Sequence, residues 1–268
     1  MIDVIVLDVD GGAMLEECLA SIRAQSVPSR VIVFDNGSQT PADRRLPTAD
    51  LHLVRSETNL GFAGGANAAL GHSSAPYVAL VNNDVVLQPE WLEQVRDALD
   101  RDEQLAAVQT IIARPDSRID GAGIDISDGT FRQIGHGDVV GAPLAVAWGV
   151  SATATLYRRA AIGERFFEER FFAYYEDVEL SARLRASGWR IAVLPVVAAV
   201  HRGSQTAPLL GRRALRLRTR NRYLVARMHP GVGRIRTLLG EDMRLLVRGR
   251  SSLSGIMLGL FGTMNDDR

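Results

Sequence analysis

The sequence predicts an α/β fold: an open, mostly parallel sheet of nucleotide-binding type flanked by helices, followed by an arginine-rich C-terminal helical appendage. Three observations carry that expectation. Short apolar runs alternate with segments of helical periodicity through the first hundred residues, aspartates fall directly after those runs, and the charge balance reverses near residue 201.

Val4–Leu7 and Val31–Phe34 read as strands, and between them Met14, Leu15, Cys18, Leu19 and Ile22 recur at helical spacing. That is a β-α-β unit, with parallel strands and a right-handed crossover. Leu51–Val54 gives another strand, Ala63–Leu70 a helix, and Tyr77–Val81 a wholly apolar strand ending at Asn82. Pro89 opens a helix running through Leu99, in the first turn where proline is favoured. Leu105–Ile112 reads as a strand. Residues 114–143, rich in Gly and Asp, read as a hairpin and loops covering a site. Ala145–Trp148 and Thr153–Tyr157 are expected as strands, Glu176–Ala186 as a helix, and Arg190–Val200 as an extended segment bent at Pro195. From Leu209 onward Leu210, Ala214, Leu217, Leu224 and Met228 mark one face of a helix ending near Pro230, with Arg212, Arg213, Arg216, Arg218, Arg220, Arg222 and Arg227 on its other faces. The expected division is residues 1–203 and 204–268, a change of charge and period without a flexible tether.

The chain has 268 residues, 46% of them hydrophobic, ample for a buried core. It contains no lysine, for which arginine-favouring codons of a GC-rich genome are the expected reason; a phosphate-loop lysine and a Schiff-base lysine are thereby excluded. The single cysteine, Cys18, sits beside Leu19 in an amphipathic segment and reads as a small buried hydrophobe, so a reducing compartment is expected. Residues 1–201 hold 27 acids against 17 arginines, whereas residues 202–268 hold 14 arginines against 4 acids. A basic segment of this kind suits an anionic partner: phospholipid headgroups, a lipid pyrophosphate, nucleic acid or the acidic body itself. The apolar start Ile2–Leu7 is too short and too close to Asp3, Asp8 and Asp10 for a signal peptide. No uncharged stretch reaches the ~20 residues that span a bilayer. Ser251–Met264 is expected to lie in an interface or pack on the protein.

In Arg170–Leu180 adjacent carboxylates, Glu176 and Asp177, stand behind a block of aromatics. A carboxylate held against apolar surface is a candidate general base, although acids at a helix start also suit the helix dipole. In open parallel sheets ligands bind beyond the carboxyl ends of the strands. Asp8, Asp35 and Asp84 each follow a predicted strand and so converge on one crevice, whereas singly each would read as a turn former.

Phe34-Asp35-Asn36-Gly37-Ser38, Asn59-Leu60-Gly61-Phe62-Ala63-Gly64-Gly65, Asn82-Asn83-Asp84 and His201-Arg202-Gly203, with the Glu176-Asp177 segment before the last, resemble the family-2 glycosyltransferases of the GT-A fold, rhamnosyltransferase-like bacterial branch. The resemblance runs from about Val4 to Gly203. It implies an inverting transfer of a sugar from a UDP- or dTDP-sugar to a hydroxyl of a lipid-linked or polymeric cell-surface glycan. The absence of lysine argues against the sugar nucleotidyltransferases, whose fold is related. By similarity Asp35 would bond the imide N–H of the base with Asn36 shaping the turn, and Gly61 and Gly64 would lie under the nucleotide. Asn82 would face the ribose or diphosphate, and Asp84 would be the principal carboxylate for Mg²⁺ or Mn²⁺, with His201 near the metal and Arg202 reaching a phosphate. An ordinary Asp-Asn-Gly turn and a structural strand-end histidine are the alternatives for Asp35 and His201. Asp177 is the expected base, with Glu176 its alternative and Glu179 facing solvent or arginine; Trp148 borders a sugar or belongs to the core.

Where relatives have Thr-Tyr-Asn after the first strand, this chain has Asp8-Val9-Asp10, and two extra carboxylates repel a diphosphate unless a metal or arginine intervenes. The resemblance therefore leaves a second reading, a catalytically silent nucleotide- or glycan-binding module of the same fold. Nucleic acid is not expected as a partner, because the arginine-rich helix carries only Tyr223 as a stacking aromatic and the body is acidic. A cytoplasmic protein is expected, peripheral on the inner face of an anionic membrane, with a homodimer as an open outcome.

Overall fold

The computed structural model describes residues 1–47, 50–203 and 206–262. The alternation expected over the first hundred residues is present. β1 (Ile2–Asp8), α1 (Ala13–Arg23), β2 (Arg30–Asn36), β3 (Leu51–Ser56), α2 (Gly61–Leu70), β4 (Tyr77–Asn82), a short β5 (Val85–Leu87), α3 (Trp91–Arg101) and β6 (Leu105–Ala113) follow in order. Next come three short strands, β7 (Ile119–Gly121), β8 (Ile124–Asp125) and β9 (Arg132–Gln133), then β10 (Ala154–Arg158), α4 (Arg159–Ile162), α5 (Glu176–Ala186) and β11 (Arg190–His201). Three helices close the described chain: α6 (Thr206–Met228), α7 (Ile235–Leu246) and α8 (Leu253–Phe261).

The main sheet has the order β3-β2-β1-β4-β10-β6-β11-β5, with β7 on β6. β1, β2, β3 and β4 are parallel, β10 lies antiparallel between β4 and β6, and β11 runs parallel to β6 and antiparallel to β5. The strands read as continuous apolar runs because both faces are covered. Val4 and Val6 pack with Leu15, Cys18, Leu19, Trp91 and Val95 on one face, whereas Ile5 packs with Ala66, Leu70, Phe166, Phe167 and Leu184 on the other. All nine residues of β6 are buried. Even the polar Thr110 is used there, since Trp91 Nε1 donates to its hydroxyl at 3.2 Å.

Two expectations need correction. Ala145–Trp148 is not a strand: Val146 is 94% exposed, no partner ladder reaches the segment, and only Gly149 bridges to Ile124. An apolar run with nothing to pair with stays irregular. Nor do all the arginines of α6 face outward, because Arg220 and Arg222 are 8% exposed and turn inward. Arg222 meets Asp242 at 2.7 Å and Glu241 at 2.8 Å, while Arg220 Nη2 donates to the Arg170 carbonyl at 2.5 Å. α6 begins before Leu209, is broken at Gly211 (φ 48°) and ends at Met228. Within the uncharged stretch 251–264, α8 packs on α6; residues 263 and 264 lie outside the described residues.

Candidate active site

The sheet's register places the candidate residues at one end. Asp8 is the ladder partner of Asp35, Leu7 that of Asn82, and His201 that of Val85, next to Asp84. Over that end lies a cleft of about 480 Å³ lined by Asn82, His201, Glu176 and Asp177, closed on other sides by Phe62, Phe131 and Arg218. Residues scattered along the chain thus share one cavity.

At one corner His201 stands between two carboxylates: Nδ1 is 2.8 Å from Asp120 Oδ2 and Nε2 is 3.2 Å from Asp84 Oδ2. Burial alone would lower the imidazole pKa, but Asp120 and Asp84 outweigh it and lift it to about 10. Asp84 Oδ1 and Asn82 Oδ1 are buried without a partner among the described residues. A carboxylate oxygen and an amide oxygen without partners, beside an imidazole nitrogen that Asp84 alone contacts, fit a hard divalent cation that completes its shell with phosphate or water. No cluster of three or more His, Cys, Asp or Glu side chains with metal-site geometry occurs among the described residues, so such an ion would lean on its substrate for ligands.

At the other corner α5 opens with Glu176, Asp177 and Glu179 in its first turn, at the positive end of the helix dipole. Asp177 Oδ1 accepts from Val178 N at 2.8 Å and Oδ2 from Ala152 N at 3.4 Å; against these donors burial still pushes its pKa up to about 6. Glu176 has only its own backbone N–H to set against burial, its Oε2 is buried without a partner, and burial together with the Asp177 charge pushes it up to about 8. Burial thus holds both carboxyls above their ordinary range, and the proton they bind belongs to the pair. Glu179 is not solvent-facing: it is 2% exposed and pairs with Arg183 at 3.3 Å and His229 at 3.2 Å.

The turn delivering this pair is strained. Phe172, Tyr174 and Tyr175 have φ of 60°, 73° and 67°, which costs non-glycine residues about 1–3 kcal/mol each. Asn221 of α6 holds it, its amide donating to the carbonyls of Phe171, Ala173 and Tyr174 at 2.9, 2.9 and 2.7 Å. The Arg213 and Arg218 guanidinium groups lie 4.1 and 4.4 Å from the centroids of the Phe172 and Tyr174 rings.

Asp8, Asp35, Asn36, Gly61 and Gly64 are not among the residues that line the cleft. Asp35 accepts from Ser38 N and Ala42 N, each at 2.9 Å, and pairs with Arg55 at 2.5 Å. Burial opposes ionisation there, but these donors hold its pKa below the usual carboxylate value. Asn36 accepts from Leu60 N and donates to the Gly61 carbonyl, each at 2.9 Å, so it braces the start of α2. Gly61 has φ 75° and a Cβ there would stand 2.5 Å from the Phe172 carbonyl oxygen; at Gly64 the nearest neighbour, Leu60 Cβ, would be 3.1 Å away. Gly61 thus admits the start of α2 against the strained turn.

The charge conflict expected at Asp8-Val9-Asp10 is resolved by arginine. Arg45 pairs with the fully buried Asp8 at 2.5 Å and also bonds the Gly11 carbonyl, while Asp10 caps the Gln39 and Thr40 backbone. Two predicted contacts are not made. Trp148 does not line the cleft but packs with Ile124, Phe171 and Val178 under Arg185, and Arg202 turns away to pair with Glu17 at 2.9 Å.

Asp120, Arg45, Arg55 and Asn221 escaped sequence reasoning. Only Asn221 left a signal, a polar residue four past Leu217 and four before Val225 on the inward stripe of its helix.

Comparison with known proteins agrees with this architecture. The chain is 27% identical over 235 residues to an N-acetylglucosaminyl-diphospho-decaprenol L-rhamnosyltransferase of Mycobacterium tuberculosis, covering 75% of this chain and 76% of that protein. Its fold is similar to TarS residues 1–349 of S. aureus in complex with UDP-GlcNAc (TM-score 0.60, 18% identity, 90% of this chain and 66% of that one). It is also similar to the mannosyltransferase PcManGT of Pyrobaculum calidifontis in complex with GDP-Man and Mn²⁺ (TM-score 0.63, 18% identity, 96% and 77%). The profile of glycosyl transferase family 2 matches residues 4–166, more than half of the sequence, and the chain belongs to that family.

Proposed function

We propose that the protein transfers a sugar from a nucleoside diphosphate donor, UDP- or dTDP-linked, to a hydroxyl of a lipid-linked glycan, with inversion at the anomeric carbon. The observation that carries this reading is the single cleft joining the Asn82–Asp84–His201 corner to the Glu176–Asp177 pair. The likeness to the mycobacterial rhamnosyltransferase, named for a diphospho-decaprenol acceptor, supports the acceptor class.

Asp177 acts as the base. It is the carboxylate of the pair that backbone donors keep ionised, so it takes the proton of the acceptor hydroxyl as that oxygen attacks the anomeric carbon. The bond from that carbon to the diphosphate oxygen breaks, and its electron pair leaves with the nucleoside diphosphate. Glu176, protonated, adds no second negative charge beside the leaving group. Asp84 and His201, with Asn82, would hold Mg²⁺ or Mn²⁺, which when bound supplies positive charge against the departing diphosphate. The protonated His201 must release its Nε2 proton to serve as a ligand. Catalysis is assigned to residues 1–203, with α6 of the C-terminal part bracing the turn through Asn221.

A thermal-shift screen of nucleotide sugars with Mg²⁺ or Mn²⁺, followed by turnover with the stabilising donor, tests the reading. Wild type should gain melting temperature and release nucleotide, whereas Asp177→Asn keeps the shift and loses release. A shift without turnover in wild type, across all donors, would return the protein to the silent binding module.

A further inference from the structure

Seven large apolar side chains stand in solvent on two helices. Ile235, Leu239, Met243 and Val247 recur every fourth residue along α7 and its last turn, and Leu253, Met257 and Phe261 do the same along α8. Fourth-residue spacing keeps each set on one side of its helix. The exposure is large, 89% at Val247 and 72% at Phe261, and it is organised in rows, whereas the exposed Val139, Val140 and Val146 lie in irregular loop.

α8 has no charged residue. Its inner side is Gly255 and Gly259, where a Cβ would stand 2.7 Å from the carbonyl oxygens of Arg216 and Arg220. The helix is thereby seated backbone-close on α6, and three of its bulky residues are left outside.

Among the described residues, the exposed charge beside these rows has one sign. Both acids of α7 turn inward: Asp242 is 1% exposed and bonds Arg222, Tyr223 and Ser251, and Glu241 pairs with Arg222. Arg234, Arg236, Arg244, Arg248 and Arg250 are exposed. A second copy docking here would bring like charges together, whereas an anionic lipid surface supplies both headgroup phosphates for the arginines and hydrocarbon for the apolar rows.

We propose that the outer face of α7 and α8 docks on an anionic phospholipid surface, the apolar rows entering the headgroup boundary and the arginines meeting phosphate. The same helical unit borders the cleft, since Arg218 of α6 lines it and Phe131, another lining residue, packs on Tyr223, Leu238 and Ile256. Docking would hold the cleft mouth at a fixed attitude to the bilayer, as suits a lipid-linked acceptor; in that respect the inference extends the proposed function, although the surface itself stands without it.

Flotation of the full chain with phosphatidylglycerol–phosphatidylcholine vesicles, against phosphatidylcholine alone, tests it. Wild type should float with the anionic vesicles only. The triple variant Met243→Ser, Met257→Ser, Phe261→Ser and the triple variant Arg244→Gln, Arg248→Gln, Arg250→Gln should each bind more weakly, the second by about 100-fold. Both should keep the wild-type melting temperature and acceptor-free donor hydrolysis, because none of the six side chains lines the cleft. Wild type failing to float at low salt, or floating equally with neutral vesicles, would overturn the proposal. So would a concentration-dependent dimer lost in the apolar variant without any vesicle binding. Flotation with no detectable transfer would sink the proposed function while leaving the docking surface in place.

Discussion

The side-chain amide of Asn221 hydrogen-bonds the Tyr174 carbonyl at 2.7 Å, which ties α6 to the turn that presents Asp177. The amide serves two further carbonyls, so its loss strands several buried acceptors at once. Asn221→Ala should lower stability by about 2 kcal/mol or more, and Asn221→Asp, which aims carboxylate oxygens at carbonyls, should cost more still. Denaturant midpoints check the order. Because the turn carries Asp177 into the cleft, kcat should fall at least tenfold (about 1.4 kcal/mol in the barrier).

Asp177 and Glu176 are both buried carboxyls raised above their ordinary range, and with Asp177 as the proposed base the rate should report it. Transfer is expected to rise with pH through about 6, where Asp177 ionises. Asp177→Asn should lower the rate by about 10²–10⁴-fold and flatten that limb. A Glu176→Gln variant that keeps most of its rate in a pH–rate profile would agree with Asp177 as the base.

Stability against pH gives a separate check on Glu176. Its folded pKa is lifted from 4.5 to about 8, so the fold tolerates the protonated carboxyl and penalises the ionised one. The penalty is absent below the unfolded value, grows as pH rises, and levels off above the folded value. Relative to wild type, Glu176→Gln should gain about 1.4 kcal/mol per pH unit through that window, as an upper bound because Asp177 titrates alongside. Melting temperatures across pH 4.5 to about 8 measure it.

Arg45 and the buried Asp8 form an ion pair whose halves are unequal in consequence. Arg45→Gln leaves a fully buried carboxylate without its cation and should cost about 3–5 kcal/mol. Adding Asp8→Asn should recover much of that loss, since the neutral pair needs no counter-charge. A double-mutant cycle in urea gives the coupling energy.

Much of the fold was legible in the sequence. Apolar runs bounded by turns identified β1 to β4 and β6, and the helix over Glu176–Ala186 has the predicted limits. These are local signals, because period and punctuation set them. What failed was what depends on partners far along the chain. Ala145–Trp148 has strand composition and no strand beside it, and Arg202 has phosphate-binding chemistry but found Glu17 first. In the site, Asp84, His201, Glu176 and Asp177 were readable from motif position, whereas Asp120 sits among several aspartates that nothing in the spacing distinguishes. Arg220 and Arg222 show the converse limit: charge suggested solvent, and buried carbonyls and carboxylates drew them inside.

The antiparallel pairing of β11 with β5 is what carries His201 back to Asp84, and Asp120 reaches the same imidazole across 81 positions of sequence. Contacts of such span close large loops and form slowly. On the ribosome the crevice around Asp8 and Asp35 is translated early, but the histidine corner cannot assemble until β11 has emerged. A nascent chain of this protein would therefore set Asp8 and Asp35 side by side before His201 can meet Asp84.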